Sequence, residues 1–124
     1  MTTMDLGIRI ENETTYTPAV TAITLVGLNW HDHVGLAVGD SIAGGGAIVG
    51  IAGGNAPFNG SVTLRFYHVG APVNATVDVT LTFNSDGGGG VVHAAAVAPA
   101  GGLTANVAYQ HQVDTHFLIL KITP

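Results

Sequence analysis

Apolar and polar residues alternate with period two along most of the chain. In ATVDVTLTF, Val77, Val79, Leu81 and Phe83 fall on one side and Thr76, Asp78, Thr80 and Thr82 on the other. In SVTLRFY, Val62, Leu64 and Phe66 oppose Thr63, Arg65 and Tyr67. Leu6, Ile8 and Ile10 alternate with Gly7, Arg9 and Glu11. Leu103, Ala105, Val107 and Tyr109 alternate with Thr104, Asn106, Ala108 and Gln110. Successive side chains of a strand point to opposite faces, so each run predicts a half-buried strand. The run HFLILKI, residues 116–122, is apolar on both sides until Lys121. That predicts a central strand, or one covered by a partner. Segments 19–26, 30–38 and 91–97 complete about eight strands.

Between these runs lie GGGA, GGNAPFNG, VGAPVN, NSDGGGG and APAGG, which supply positive φ and Pro-initiated turns. The glycine-rich stretches 44–54 and 87–90 read as long loops. Glycine and proline, 18 and 5 residues spread along the chain, disfavour helix interiors. The expectation is one all-β domain over residues 1–124, an antiparallel β-sandwich of jelly-roll type, with a short N-terminal arm over residues 1–6. A chain of this length buries enough surface for one core.

Composition changes the picture at one point. Charged residues make up 9% of the chain, against about 25% in ordinary domains. Gly, Ala, Thr, Asn and Ser take their place. Such faces suit contact with neighbouring copies, because interface cores are depleted in Lys, Glu and Asp. Arg9, Arg65 and Lys121 are the only fixed cations, and the net charge is -5. This argues against nucleic acid as a partner, since phosphate binding needs several cations on one face. It argues equally against electrostatic docking on anionic lipid. With no Cys there is no disulfide, thiolate metal site or thiol nucleophile. No apolar run is long enough for a transmembrane helix. The start MTTMDLGIRIENE lacks a cationic region and an apolar stretch, so synthesis in the cytosol without a signal peptide is expected. The sequons at Asn12, Asn59 and Asn74 read as strand and turn sequence.

Candidate chemistry centres on WHDH. On a strand, His31 and His33 share one face, with Trp30, Asp32 and Val34 on the other. The two imidazoles are the candidate ligands for a divalent metal, and a metal-dependent enzyme built on His-x-His is one functional reading. Zinc needs three or four ligands, and no third is assigned. A surface or contact strand, or a pH-responsive interface, are the other readings. YQHQVDTH places Asp114 and His116 on one face with His111 nearby, but no serine sits in a G-x-S-x-G elbow. The glycine-rich stretches lack both the dinucleotide fingerprint and the G-K-[ST] pattern. No catalytic residue and no cofactor is assigned.

Two resemblances add to this. GAIVGI at residues 46–51, followed by TLRFYHVG at residues 63–70, resembles the head-decoration proteins of lambda-like phages. The resemblance implies a trimer on a capsid lattice, clamping neighbouring shell subunits, with no catalytic residues. Beyond Pro72 the sequence departs, with more strands than that small fold needs. IRIENET at residues 8–14 and FNGSVTLRFY at residues 58–67 are similar to aegerolysin-like β-sandwich proteins, which implies lipid binding.

The expected function is structural and non-enzymatic: self-association as a homo-oligomer, a trimer favoured, docked on a larger assembly such as a capsid, with a virion as the location. Segments 117–122 and 1–9 are the expected contacts, with Trp30, Phe117, Ile119 and Ile122 as interface residues. The alternative is a lipid- or glycan-binding module with surface aromatics at Tyr16, Trp30, Phe58 or Tyr67.

Overall fold

A computed structural model describes residues 4–69, 75–86, 92–97, 102–112 and 115–124. Seven strands follow one another: β1 (Met4–Asn12), β2 (Ala19–Trp30), β3 (Ala47–Val69), β4 (Ala75–Ser85), β5 (His93–Val97), β6 (Thr104–Gln112) and β7 (Thr115–Thr123). No helix occurs among the described residues. The strands join one sheet in the order β5-β4-β3-β1-β7-β6, with β2 paired to β3 off that path.

The 23-residue β3 organises the sheet. Its first part pairs with β1, from Ala47↔Glu11 to Gly54↔Met4. Its second part pairs with β4, from Phe58↔Ser85 to Val69↔Ala75. β2 runs beside both parts, from Trp30↔Ala52 to Ala19↔Arg65. At the junction Val26 pairs with Asn59 and Leu28 with Gly54, so four residues of β3 bulge opposite the single Gly27. Gly27 has φ +81°, and a Cβ on Gly54 would collide with the Gly27 carbonyl oxygen. Two glycines are therefore required where this hairpin bends. The bend wraps the sheet around one core and brings β5 towards β6, nearly closing a barrel.

Inward positions follow the alternation. Leu6, Ile8, Ile10, Val62, Leu64, Phe66, Val79, Leu81, Phe83, Leu118, Leu120 and Ile122 are all buried. Each such side chain contributes roughly 1.5–3 kcal/mol through removal from water.

The all-β expectation holds. The strands pair into one sheet nearly closed into a barrel. It is antiparallel throughout except that β1 and β7 run parallel, Asp5↔Thr115 to Asn12↔Ile122. The glycine-rich 44–54 and GGNAPFNG lie mostly inside β3 rather than in loops. Their glycines serve close approach: a Cβ on Gly50 would stand 2.8 Å from Leu36 Cγ and 2.9 Å from Trp30 Cζ3. The expected strand 30–38 stops at Trp30. Residues 4–6 belong to β1 in mid-sheet rather than to an arm, and residues 1–3 lie outside the described set. The expected turns 70–74, 87–90 and 98–101 also lie outside it.

Beyond Trp30 the chain reverses, Val34 N–H donating to the His31 carbonyl at 3.2 Å, then folds back along β2. Val20 N–H donates to Asp40 O and Gly39 N–H to Val20 O, both at 2.8 Å. Leu36 and Ile42 bury themselves in the core from this segment. One buried residue ties its far end. Asn12 Nδ2 donates to Tyr16 O at 2.7 Å and to Ile42 O at 3.1 Å. Its Oδ1 accepts from Thr14 N–H at 3.0 Å and from Thr14 Oγ1 at 2.6 Å. Both Asn12 and Thr14 of that sequon are thus used inside the fold.

Candidate association surface

The first half of β3, with β1, β7 and β6, presents an outer face whose rows follow from the ladder register. Gly7 sits between Ile51 and Phe117, and Phe117 pairs onward with Gln110. In the next row Arg9 sits between Val49 and Ile119, and Ile119 pairs onward with Ala108. Val49 is exposed, and Ile51, Phe117 and Ile119 are half-buried. The Phe117 ring lies over Gly7, where a Cβ would collide with it. The result is an apolar stripe of Val49, Ile51, Phe117 and Ile119, interrupted by Arg9 and bordered by Gln110. Isolated exposed apolar residues are ordinary, so it is the grouping that makes this face a candidate.

Charge on this face is balanced locally. Arg9 Nε donates to Glu11 Oε2 at 2.7 Å, and this bond holds the Glu11 carboxyl below the usual carboxylate range. Lys121 Nζ stands 4.0 Å from Glu13 Oε1. At the opposite end His31 Nε2 meets Asp5 Oδ1 at 2.9 Å above Gly53, where a Cβ would come within 2.8 Å of that nitrogen. Asp5, Asn29, Trp30, His31, Gly53 and Gly54 line a shallow depression there.

The structure separates the sequence-level candidates. Phe117 and Ile119 lie on the stripe. Ile122 does not: its place in the alternation puts it with Leu118 and Leu120 in the core, fully buried. Trp30 is half-buried, its ring at Gly50 beside Leu36 and its Cβ against Gly35, so the protein's own loop occupies it. Of segment 1–9, Met4, Leu6 and Ile8 face the core, while Gly7 and Arg9 face outwards. His31 and His33 do not share a strand face. His33 has φ +67° in the reversal after β2, and His31 is taken by Asp5. Among the described residues no group of three or more His, Asp or Glu is placed to hold a metal ion.

Nor do the candidate ligand-binding aromatics assemble at one surface. Phe58 is buried in the core, Tyr16 packs edge-on against Phe66 with centroids 6.4 Å apart, and Tyr67 is exposed.

Sequence reasoning missed three members of the stripe, Val49, Ile51 and Ala108. Their signal was present as the outward positions of period-two runs, but residues 44–54 read as loop. It also missed the grouping of Tyr109, His111 and His116. His111 and His116 pair across the β6–β7 hairpin, their rings parallel within 7° and 4.2 Å apart. Tyr109 stacks on His116 at 5.7 Å, and its hydroxyl hydrogen-bonds His116 Nδ1. Asp114 lies outside the described residues.

No family model and no curated protein matches the chain.

Proposed function

We propose that this chain is a structural, non-enzymatic protein that associates with copies of itself through the outer face of β3, β1, β7 and β6. Its most concrete form is a capsid-decoration or virion-surface protein, working as a trimer docked on a larger shell. The observation that carries the reading is the apolar stripe of Val49, Ile51, Phe117, Ile119 and Ala108 in a chain with 9% charged residues. The phage setting is supported by the resemblance over residues 46–51 and 63–70, both of which fall on β3 apart from their terminal glycines, Gly46 and Gly70.

A second copy is the occupant that charge and area favour. Two of the three fixed cations, Arg9 and Lys121, lie on this face with Asp5, Glu11 and Glu13. It is therefore close to neutral while the rest of the chain carries most of the net -5, so copies meet without strong like-charge repulsion. Four strands about 4.8 Å apart and about 30 Å long cover on the order of 550 Å² per copy. Full cover of the face by a second copy would bury roughly 1,100 Å², just above the ~1,000 Å² that a specific interface needs. Mechanically the face needs no moving part: it consists of β-branched side chains and one ring seated on Gly7.

Light scattering across a concentration series tests this. Mass at two or three times the chain mass, rising with concentration, is the expected result. A monomer at every concentration that co-sediments with liposomes or binds glycans overturns it in favour of the ligand-binding module.

A further inference from the structure

The two ends of the strand order, β5 and β6, approach one another, yet no ladder joins them among the described residues. A side-chain relay crosses there instead. The Val92 backbone amide, just before β5, donates to the Tyr109 hydroxyl on β6. That hydroxyl in turn bonds His116 Nδ1 on β7. In the tautomer that completes the relay, the Tyr109 hydroxyl donates to Nδ1 and the imidazole proton sits on Nε2. The relay thus specifies a neutral His116.

We propose that Tyr109 and His116 form an acid-sensitive latch on the β5–β6 seam, which opens when the His116 imidazole is protonated. This goes beyond the association reading and does not depend on it.

Protonation works against the latch in two ways. A hydrogen on Nδ1 turns the Tyr109 proton away and places a cation at a residue only 5% exposed, where ions are costly. Among the described residues no carboxylate faces His116. Leu6 is the β1 partner of His116, and Leu118 neighbours it on β7. From β6 come Tyr109 and His111, and from the segment before β5 comes Val92. Asp5, on the neighbouring strand, faces outwards to His31. Burial, and then the neighbouring His111, hold the His116 imidazole below its ordinary range, with no described carboxylate acting on it. Burial likewise pushes the Tyr109 hydroxyl up, so the tyrosine stays protonated and able to donate.

The sign follows. A group whose folded pKa lies below its unfolded value, about 6.5 for imidazole, stabilises the folded form fully above that value. The contribution is lost as pH falls from there through the folded pKa. The latch is closed at neutral pH and opens on acidification.

Hydrogen exchange of the Val92 amide in the full chain, corrected for intrinsic rate, reads the seam directly. Its protection factor is expected to fall about tenfold or more between about pH 7.5 and about pH 5 in the native protein. His116→Asn, which keeps an acceptor and does not titrate, should hold it flat. A pH-independent protection factor in the native chain, or an equal fall in His116→Asn, overturns the proposal. Should His116→Asn not fold, the ring-carbon NMR titration of His116 decides. Coincidence of its midpoint with the loss of Val92 protection supports the latch, and a titration at the ordinary imidazole pKa without that loss overturns it.

Discussion

The barrel has two outer faces built by the same alternation, and they differ in what they show to solvent. On the face of β3, β1, β7 and β6 the outward rows are Ile51, Gly7, Phe117 and then Val49, Arg9, Ile119. On the face of β2, β3, β4 and β5 the corresponding rows are Thr24, Ser61, Thr82 and Ala22, Thr63, Thr80. Val26, Asn59 and Asn84 form a third, in which Val26 is an exposed aliphatic side chain. The hydroxyls satisfy one another and the backbone, as in Thr63 Oγ1 to Thr80 Oγ1 at 3.1 Å and Thr82 Oγ1 to Ala95 O at 3.4 Å. Low charge therefore means two different things in one chain. On the second face hydroxyls replace ions and stay wet. On the first, aliphatic and aromatic groups share the surface with the Arg9–Glu11 and Lys121–Glu13 pairs.

Matched substitutions probe that difference. The largest effect concerns two asparagines of the same sequon type. Asn12→Ala removes the amide that donates to the carbonyls of Tyr16 and Ile42 and accepts from the Thr14 hydroxyl. It should cost about 2–4 kcal/mol in chemical denaturation. Asn59→Ala, at an exposed position, should stay within about 0.5 kcal/mol. Next come the aromatics. Phe117→Ser uncovers Gly7 and should cost about 1–2 kcal/mol. Tyr67→Ser, at an exposed position on the hydroxyl face, should fall near zero. Equal losses at the two rings would remove the contrast between the faces.

The smallest effect is electrostatic. Arg65 donates to both carboxylate oxygens of Asp78, at 2.9 and 3.3 Å, and this holds the Asp78 carboxyl below its ordinary range. The pair is largely solvated, so its contribution is slight. It is present above the ordinary carboxylate pKa and fades as pH falls through the folded value. Asp78→Asn should shift the thermal midpoint barely beyond measurement error at neutral pH and not at all in acid.

The legible part of the fold was the part governed by local alternation. Leu6, Ile8 and Ile10, Val62, Leu64 and Phe66, and Val77 to Phe83 sit as their period dictates. What stayed hidden depended on partners distant in sequence. Nothing local in β1 or β7 declares that they run parallel. Glycine in 44–54 and 53–60 carries a loop signal, yet Gly50 and Gly54 serve a bent strand approached by Trp30 and by the Gly27 carbonyl. The apparent strand 30–38 fails because His33 turns left-handed and the apolar Leu36 packs onto the end of the barrel. The stacked histidines were within reach: His111 and His116 lie symmetrically about the β6–β7 connection, so assigning the hairpin register pairs them.

Sedimentation velocity on paired charge insertions bears most directly on the central claim. Ile119→Asp places a carboxylate in the apolar stripe, and Thr82→Asp places one in the hydroxyl face. The account predicts an oligomer for the native chain and for Thr82→Asp, with association weakened about tenfold or more in Ile119→Asp. Equal sedimentation of all three proteins, whether as monomers or as oligomers, would contradict it.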